Sequence, residues 1–277
     1  MAPDRSVFRD DLFDGRVVLV TGGGTGIGRR IATELAALGA QVVLAARRQE
    51  PLEATAAQIT AAGGRADWMT LDIRDADAVE EAVAVVAERY ERIDGLVNNA
   101  GGQFPAPAQD ISPNGWRTVV DLNLNGAFLM SRAVFRAAMA EHGGSIVSIL
   151  ADFWNGFPGM AHTGAARAGV ANLTKTLAVE WAGHRVRVNA VAPGLIDSSG
   201  MDTYAPEIRQ AVAAAARGIP AGRMGTEAEV SAAVVFLLSD AASFITGDTL
   251  RIDGGGSLHK QPLLPMGTES PIPPYTG

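Results

Sequence analysis

The chain has 277 residues, 47% hydrophobic and 19% charged, a balance that supplies a core for one large domain or two small ones and excludes intrinsic disorder. Lys and Arg number 23 against 30 Asp and Glu, and the net charge of −7 excludes a basic nucleic-acid surface. Cysteine is absent, which excludes disulfides, thiolate nucleophiles and Cys-ligated zinc, and the four histidines (His142, His162, His184, His259) lack metal-ligand spacing.

The first residues carry no apolar signal core. The most apolar run, residues 228–238, contains Glu229 and falls short of the ~20 residues a bilayer span needs. The ending Pro274-Tyr275-Thr276-Gly277 is not a peroxisomal address. These features lead us to expect a cytoplasmic protein without a membrane or nucleic-acid partner.

Short β-branched runs alternate with longer Ala-rich stretches. Residues 16–20 read as a buried strand and 26–38 as a helix stopped by Gly39. A strand over 41–45, a helix over 51–62, a strand over 68–73 and a helix over 76–89 follow. Residues 95–98 form a fourth strand and 115–141 carry one long helical pattern. A strand over 145–150, a helix over 164–181 and a strand over 187–191 come next. A helix over 227–238 and a strand over 249–252 complete the pattern. Continuous apolar strands indicate burial on both faces. Their alternation with helices predicts a single-domain α/β Rossmann fold, a doubly wound seven-stranded parallel sheet with helices on both faces. The domain is expected to span residues 1–257. Pro262, Pro265, Pro271, Pro273 and Pro274 make 258–277 an irregular tail, either draped over a surface or disordered.

Thr21-Gly22-Gly23-Gly24-Thr25-Gly26-Ile27-Gly28 joins the first strand to the first helix. A helix start there offers free N–H groups and a positive dipole end to a phosphate. Gly22 permits the tight turn, Gly26 a close backbone approach and Gly28 close helix–strand packing. The end of the second strand reads Ala45-Ala46-Arg47-Arg48, where an acidic residue would have matched the ribose hydroxyls of NAD. A guanidinium matches a 2′-phosphate, so NADP(H) is the expected cofactor, with Arg47 as its reader. Asp72, beside Ile73, is placed to accept from an adenine amino group or to cap the next helix.

With these residues in hand, the chain resembles the short-chain dehydrogenase/reductase family over roughly residues 10–257. The matching pieces are TGGGTGIG (21–28), LDI (71–73), NNAG (98–101), Asn123 within DLNLNG, VNAVAPG (188–194) and FITGDTLRIDGG (244–255). The resemblance implies that Asn99, Ala100 and Gly101 pass along the adenosine ribose and that Pro193, Gly194 and Ile196 cover the nicotinamide. It also implies a homotetramer. The family's catalytic set is Ser, Tyr and Lys, helped by Asn. Here Thr163 falls at the Tyr position, Arg167 at the Lys position and Leu150 at the Ser position, and only Asn123 survives.

That departure changes the expected chemistry. A carbonyl reductase protonates an alkoxide with an acid whose pKa lies near working pH, and an aliphatic hydroxyl beside a guanidinium is a poor substitute. Arg167 remains able to hold the nicotinamide ribose. Reduction of an enoyl thioester is less demanding, since one or two donors stabilise the enolate oxygen. Thr163, a backbone N–H or a ribose hydroxyl is expected to serve, with His162 as a proton source or a packing residue. NNAGGQF (98–104), HTGAARAGV (162–170) and NLTKTLAVEWA (172–182) resemble the peroxisomal trans-2-enoyl-CoA reductase branch, related to the 2,4-dienoyl-CoA reductases. The resemblance implies NADPH-dependent reduction of an acyl-CoA substrate. Bacterial relatives with this pattern are often labelled citronellol or acyclic-terpenoid dehydrogenases. An alcohol or carbonyl dehydrogenase, and a catalytically weak cofactor-binding protein, therefore stand as alternatives. Residues 195–219 read as an apolar lid over an acyl chain or as a surface helix, and Arg209, Arg217 and Arg223 as candidate contacts for coenzyme-A phosphates. Lys175 reads as a surface lysine, Asp152 as a substrate contact or loop cap, and Ser148 as bonding a neighbour within the sheet.

Overall fold

The computed structural model describes residues 11–203, 205–258 and 271–277, without the side chains of residues 202 and 203. In chain order, β1 (Val17–Thr21) leads to α1 (Gly26–Ala37), β2 (Gln41–Ala46) to α2 (Gln49–Ala61), and β3 (Arg65–Thr70) to α3 (Ala76–Tyr90). β4 (Gly95–Asn98) precedes α4 (Pro113–Val120), α5 (Gly126–Val134) and the short α6 (Ala140–His142). β5 (Gly144–Ile149), α7 (Ala161–Trp181) and β6 (Val186–Pro193) follow. Then come β7 (Ile196–Asp197), α8 (Pro206–Ala216), β8 (Gly225–Thr226), α9 (Glu227–Leu238) and β9 (Thr249–Ile252).

Seven strands form one parallel sheet in the order β3-β2-β1-β4-β5-β6-β9. Alternate residues of each strand enter opposite cores, as the strand's two-residue period demands. Val18, Val20 and Leu44 pack with Ile31, Leu35, Leu52 and Val234 of α1, α2 and α9. Leu19, Val43 and Ile146 pack with Val83, Met130 and Leu177 of α3, α5 and α7. The strand order reverses between β1 and β4, which opens a crevice at the carboxyl ends of these strands.

Several boundaries differ from the sequence reading. The third strand starts at Arg65 and ends at Thr70, so Leu71, Asp72 and Ile73 leave the sheet. It lies at the sheet edge and is half-exposed, so continuous apolarity does not mark it. The long helical run is broken by two π turns, Asp121–Asn125 and Phe135–Met139. α7 begins at Ala161, because the His162 ring Nδ1 accepts the Thr163 N–H at 2.8 Å and supports the first turn. His184 Nδ1 lies 2.8 Å from the Ala140 carbonyl. Ser148 Oγ lies 3.4 Å from Asn98 Nδ2 within the sheet. His259 lies outside the described residues. Among the described residues no helix is long and apolar enough to cross a membrane.

Candidate active site

The crevice is a cleft of about 640 Å³. Gly22, Thr25, Gly26, Ile27 and Gly28 line its floor. Gly22 has φ +67°, and a Cβ there would meet Asn99 Nδ2 at 2.7 Å. A Cβ on Gly28 would strike the Gly22 carbonyl. Thr55 Oγ1 donates to the Gly24 carbonyl at 3.1 Å and pins the loop from α2, a role the sequence did not signal. Thr25 at the α1 N-cap makes no side-chain capping bond, so the first-turn N–H groups lack a side-chain acceptor. This cradle fits a phosphate.

Buried Thr21 joins the ends of β1 and β4. Its hydroxyl donates to the Val97 carbonyl at 3.1 Å and accepts from the N–H groups of Asn99 and Ala100, each at 3.0 Å. The Asn99 amide donates to the Thr21 and Gly22 carbonyls at 2.9 and 3.2 Å. Asn99, Ala100 and Gly101 thereby form the middle of the cleft wall.

At one end, Arg47, Arg48, Asp72 and Ile73 line the cleft. Neither arginine makes an ion pair among the described residues. Arg74 Nε donates to both Asp72 carboxylate oxygens, at 2.9 and 3.2 Å, and holds its pKa below the usual carboxylate range. The helix-cap reading of Asp72 is corrected: Asp75 caps α3, accepting the N–H groups of Asp77 and Ala78 at 3.1 Å each.

At the other end, Pro193, Gly194 and Ile196 line the cleft with Leu122, Leu150, Phe157 and Met160. Met201, Ile208 and Val212 add apolar surface from residues 199–203 and α8, so the 195–219 region forms a wall of the cleft. Arg167 enters this end and is 9% exposed. Its Nη1 donates to the Ile149 carbonyl at 2.6 Å, while Nε is buried without a partner. Burial lowers its pKa to about 10, which leaves it charged at neutral pH. A Cβ on Gly101 would meet Arg167 Nη2 at 2.6 Å and Asn123 Oδ1 at 2.7 Å, so these two side chains converge behind the wall. Asn123 sits in the first π turn. Its Nδ2 donates to the Val119 and Gly102 carbonyls at 2.7 and 2.8 Å, and Oδ1 accepts the Gly102 N–H at 3.3 Å.

Three expected catalytic residues do not line the cleft: Asn123, Thr163 and His162. Thr163 and His162 are fully buried, and Thr163 Oγ1 lies 3.3 Å from His162 Nδ1. The hydroxyl is thus buried beside the imidazole at the start of α7 and does not line the cleft. Burial lowers the His162 pKa, and its ring packs edge-on against Phe104 at 4.5 Å between centroids. Gln103 does line the cleft, a residue the sequence reading passed over. Tyr90 donates to Asp67 on the far side of β3, Tyr275 lies against α9, and Tyr204 is outside the described residues. No tyrosine lines the cleft among the described residues.

The remaining candidates lie elsewhere. Lys175 lines a separate groove with Trp154, Asp248 and Arg251. Asp152 does not line the cleft, and burial raises its pKa while the Trp154 N–H bonds it within the loop. Arg209 and Arg217 are exposed. Arg223 is not free for a phosphate, since it is bonded to Glu229 at 2.6 and 2.9 Å.

Residues 22–257 match a family model described as enoyl-(acyl carrier protein) reductase. The chain is 38% identical over 251 residues to a Bacillus subtilis (strain 168) protein named "Probable 2,4-dienoyl-CoA reductase [(2E)-enoyl-CoA-producing]", covering 90% of this chain and 99% of that protein. It is 38% identical to the Danio rerio peroxisomal 2,4-dienoyl-CoA reductase [(3E)-enoyl-CoA-producing], over 91% of this chain and 85% of that one. Among solved structures, the citronellol catabolism dehydrogenase of Pseudomonas aeruginosa PAO1 superposes with a TM-score of 0.82 at 51% identity, covering 91% of this chain and 99% of that one. Fold, glycine cradle and these similarities together show that the chain belongs to the short-chain dehydrogenase/reductase family of NAD(P)-binding oxidoreductases.

Proposed function

We propose that the chain reduces the C=C bond of a trans-2-enoyl-CoA thioester with NADPH. The observation that carries this reading is the substrate end of the cleft: an apolar wall, one buried guanidinium and no phenol among the described residues. NADPH, when bound, supplies hydride to the β-carbon. The chain's own residues do the rest. The glycine cradle and the α1 N-terminus take the pyrophosphate, and Arg47 takes the 2′-phosphate. Arg167, charged and held by the Ile149 carbonyl, donates to oxygens of the nicotinamide ribose and of the thioester. The substrate oxygen gathers negative charge in the transition state, and a fixed cation in a dry wall stabilises it there. The α-carbon then takes its proton from water. Asn123 positions the Gly101–Gly102 backbone, and His162 with Thr163 positions the start of α7.

The 51% identity to a citronellol catabolism dehydrogenase favours a second reading, oxidation of a hydrophobic alcohol with NADP+. Mixing the protein with NADPH and crotonyl-CoA, or a longer enoyl-CoA, tests the first. Loss of reduced-nicotinamide absorbance with enoyl-CoA alone supports it, whereas turnover only with citronellol and NADP+ supports the second. We also read the chain as a cytoplasmic homotetramer, in which exposed Trp116, Phe128 and Val179 on the long helices supply apolar contact.

A further inference from the structure

The segment 271–277 has no helix or strand, yet it is bonded along its length. The Ile272 N–H donates to the Ala221 carbonyl at 3.2 Å. Arg223 donates through Nε to the Ile272 carbonyl at 2.5 Å and through Nη2 to the Pro273 carbonyl at 3.1 Å. Thr226 Oγ1 donates to the Tyr275 carbonyl at 2.8 Å, and the Tyr275 N–H donates to Glu229 Oε1 at 3.4 Å. Gly222 has φ +76°, and a Cβ there would meet Pro271 Cβ at 3.1 Å. Farther along, Gly277 lies against the Arg30 guanidinium of α1.

The partners of this segment are concentrated where α8 connects to α9. Thr226 belongs to β8, which pairs with β7, and Ile196 of β7 lines the cleft. Glu227 accepts the Ser199 N–H at 3.2 Å, and a Cβ on Gly26 would lie 3.2 Å from Ser199 Oγ and 3.5 Å from Glu227 Oε1. Ser199 also lines the cleft. A continuous set of bonds therefore runs from residues 272–275 through Thr226 and Glu229 to the rim beside the glycine cradle. The two-residue strands β7 and β8 have little pairing of their own, so outside bonding decides how firmly they sit.

We infer that residues 271–277 act as a strap that holds the β7–β8 rim over the cofactor cleft, so that its docking sets the rate of cofactor release. The inference rests on the family's nicotinamide cofactor and not on the choice of substrate. Arg223 and Glu229 form the clasp, and the strap's own contribution is mostly backbone N–H and C=O groups, so its grip tolerates changes of side chain but not loss of its N–H donors.

The test uses the full chain, a variant lacking residues 271–277, and the double variant Ile272→Pro with Tyr275→Pro, which removes two N–H donors. NADPH dissociation is followed by stopped-flow fluorescence, and local opening by amide hydrogen exchange. The strap predicts that the double variant releases NADPH about tenfold faster, the factor that one or two lost hydrogen bonds are worth, and that the truncated chain, which loses every bond of the segment, releases it at least as fast. Exchange rises at residues 196–199 and 222–229 and stays unchanged in β1, β4 and β5. Release within about twofold of the full chain overturns the inference. So does exchange that rises equally across the central sheet, which would make the segment a general stabiliser. Failure of the full chain itself to bind NADPH would strike the cofactor reading instead.

Discussion

Replacing Arg167 with Met separates stability from binding, with opposite signs. The guanidinium is buried, has no carboxylate partner among the described residues, and leaves Nε without an acceptor. The fall of its pKa from 12.5 to about 10 through desolvation corresponds to roughly 3 kcal/mol against the charged form. Its hydrogen bond to the Ile149 carbonyl returns about 1.5–3 kcal/mol. Met keeps most of the aliphatic stem and its packing. The cofactor-free Arg167→Met protein should therefore be as stable as the parent, or more stable by about 1 kcal/mol. With cofactor, the variant lacks a charge-assisted contact worth about 1.5–3 kcal/mol, so the NADPH Kd should rise about 10- to 100-fold. Urea unfolding without cofactor and calorimetric titration with NADPH measure the two quantities. A loss of more than about 1 kcal/mol in the cofactor-free protein, or an unchanged Kd, would refute the view that this cation is kept for its ligands rather than for the fold.

Other outcomes follow from the same geometry. Arg47→Glu should raise the NADPH Kd much more than the NADH Kd, measured by titration with each; an unchanged ratio removes Arg47 as the phosphate reader. Thr163→Val should leave single-turnover hydride transfer within about twofold of the parent, since the hydroxyl faces His162 inside the helix; a rate loss of about 100-fold would return it to the mechanism. Glu229 is held at a pKa of about 2, chiefly by hydrogen bonding to Arg223. A depressed carboxyl stabilises the fold above its unfolded value near 4.5 and loses that contribution as pH falls toward 2. The full gap is roughly 3 kcal/mol, and partial exposure of the pair cuts it to ~1–2 kcal/mol. Acid unfolding of Glu229→Gln should therefore be flatter between pH 5 and pH 2, and an identical slope would deny the linkage.

The central architecture was legible because its signals are local and redundant. Apolar runs at 16–20, 95–98 and 145–150 fall within a residue of the observed strands, and TGGGTGIG lies between a strand and a helix as a phosphate cradle requires. Legibility failed where neighbours rather than local pattern decide. β3 is an edge strand and alternates weakly, so Leu71–Asp72–Ile73 looked like its end when they are already in the loop. The π turn at Asn123 depends on its amide bonding the Val119 and Gly102 carbonyls, and Gly102 is 21 residues away. The pair β7 and β8, two residues each, carries no periodicity at all. The helix expected over 164–181 begins three residues earlier, at Ala161, so Thr163 lies within its first turn, a shift set by neighbouring groups that an aligned letter does not show. Leu150 and Arg167, in contrast, both line the cleft from the positions the family motif assigned them.

On the proposed reading, hydride transfer in this protein proceeds without a phenolic proton donor. Single-turnover reduction of an enoyl-CoA by NADPH, measured for the parent and for Tyr204→Phe across pH 6–10, tests it most directly. Both proteins should turn over the enoyl-CoA at similar rates, with no common ionisation of a tyrosine in the profiles. Loss of activity in Tyr204→Phe, or efficient reduction of ketones with no reaction of enoyl-CoA, would contradict it.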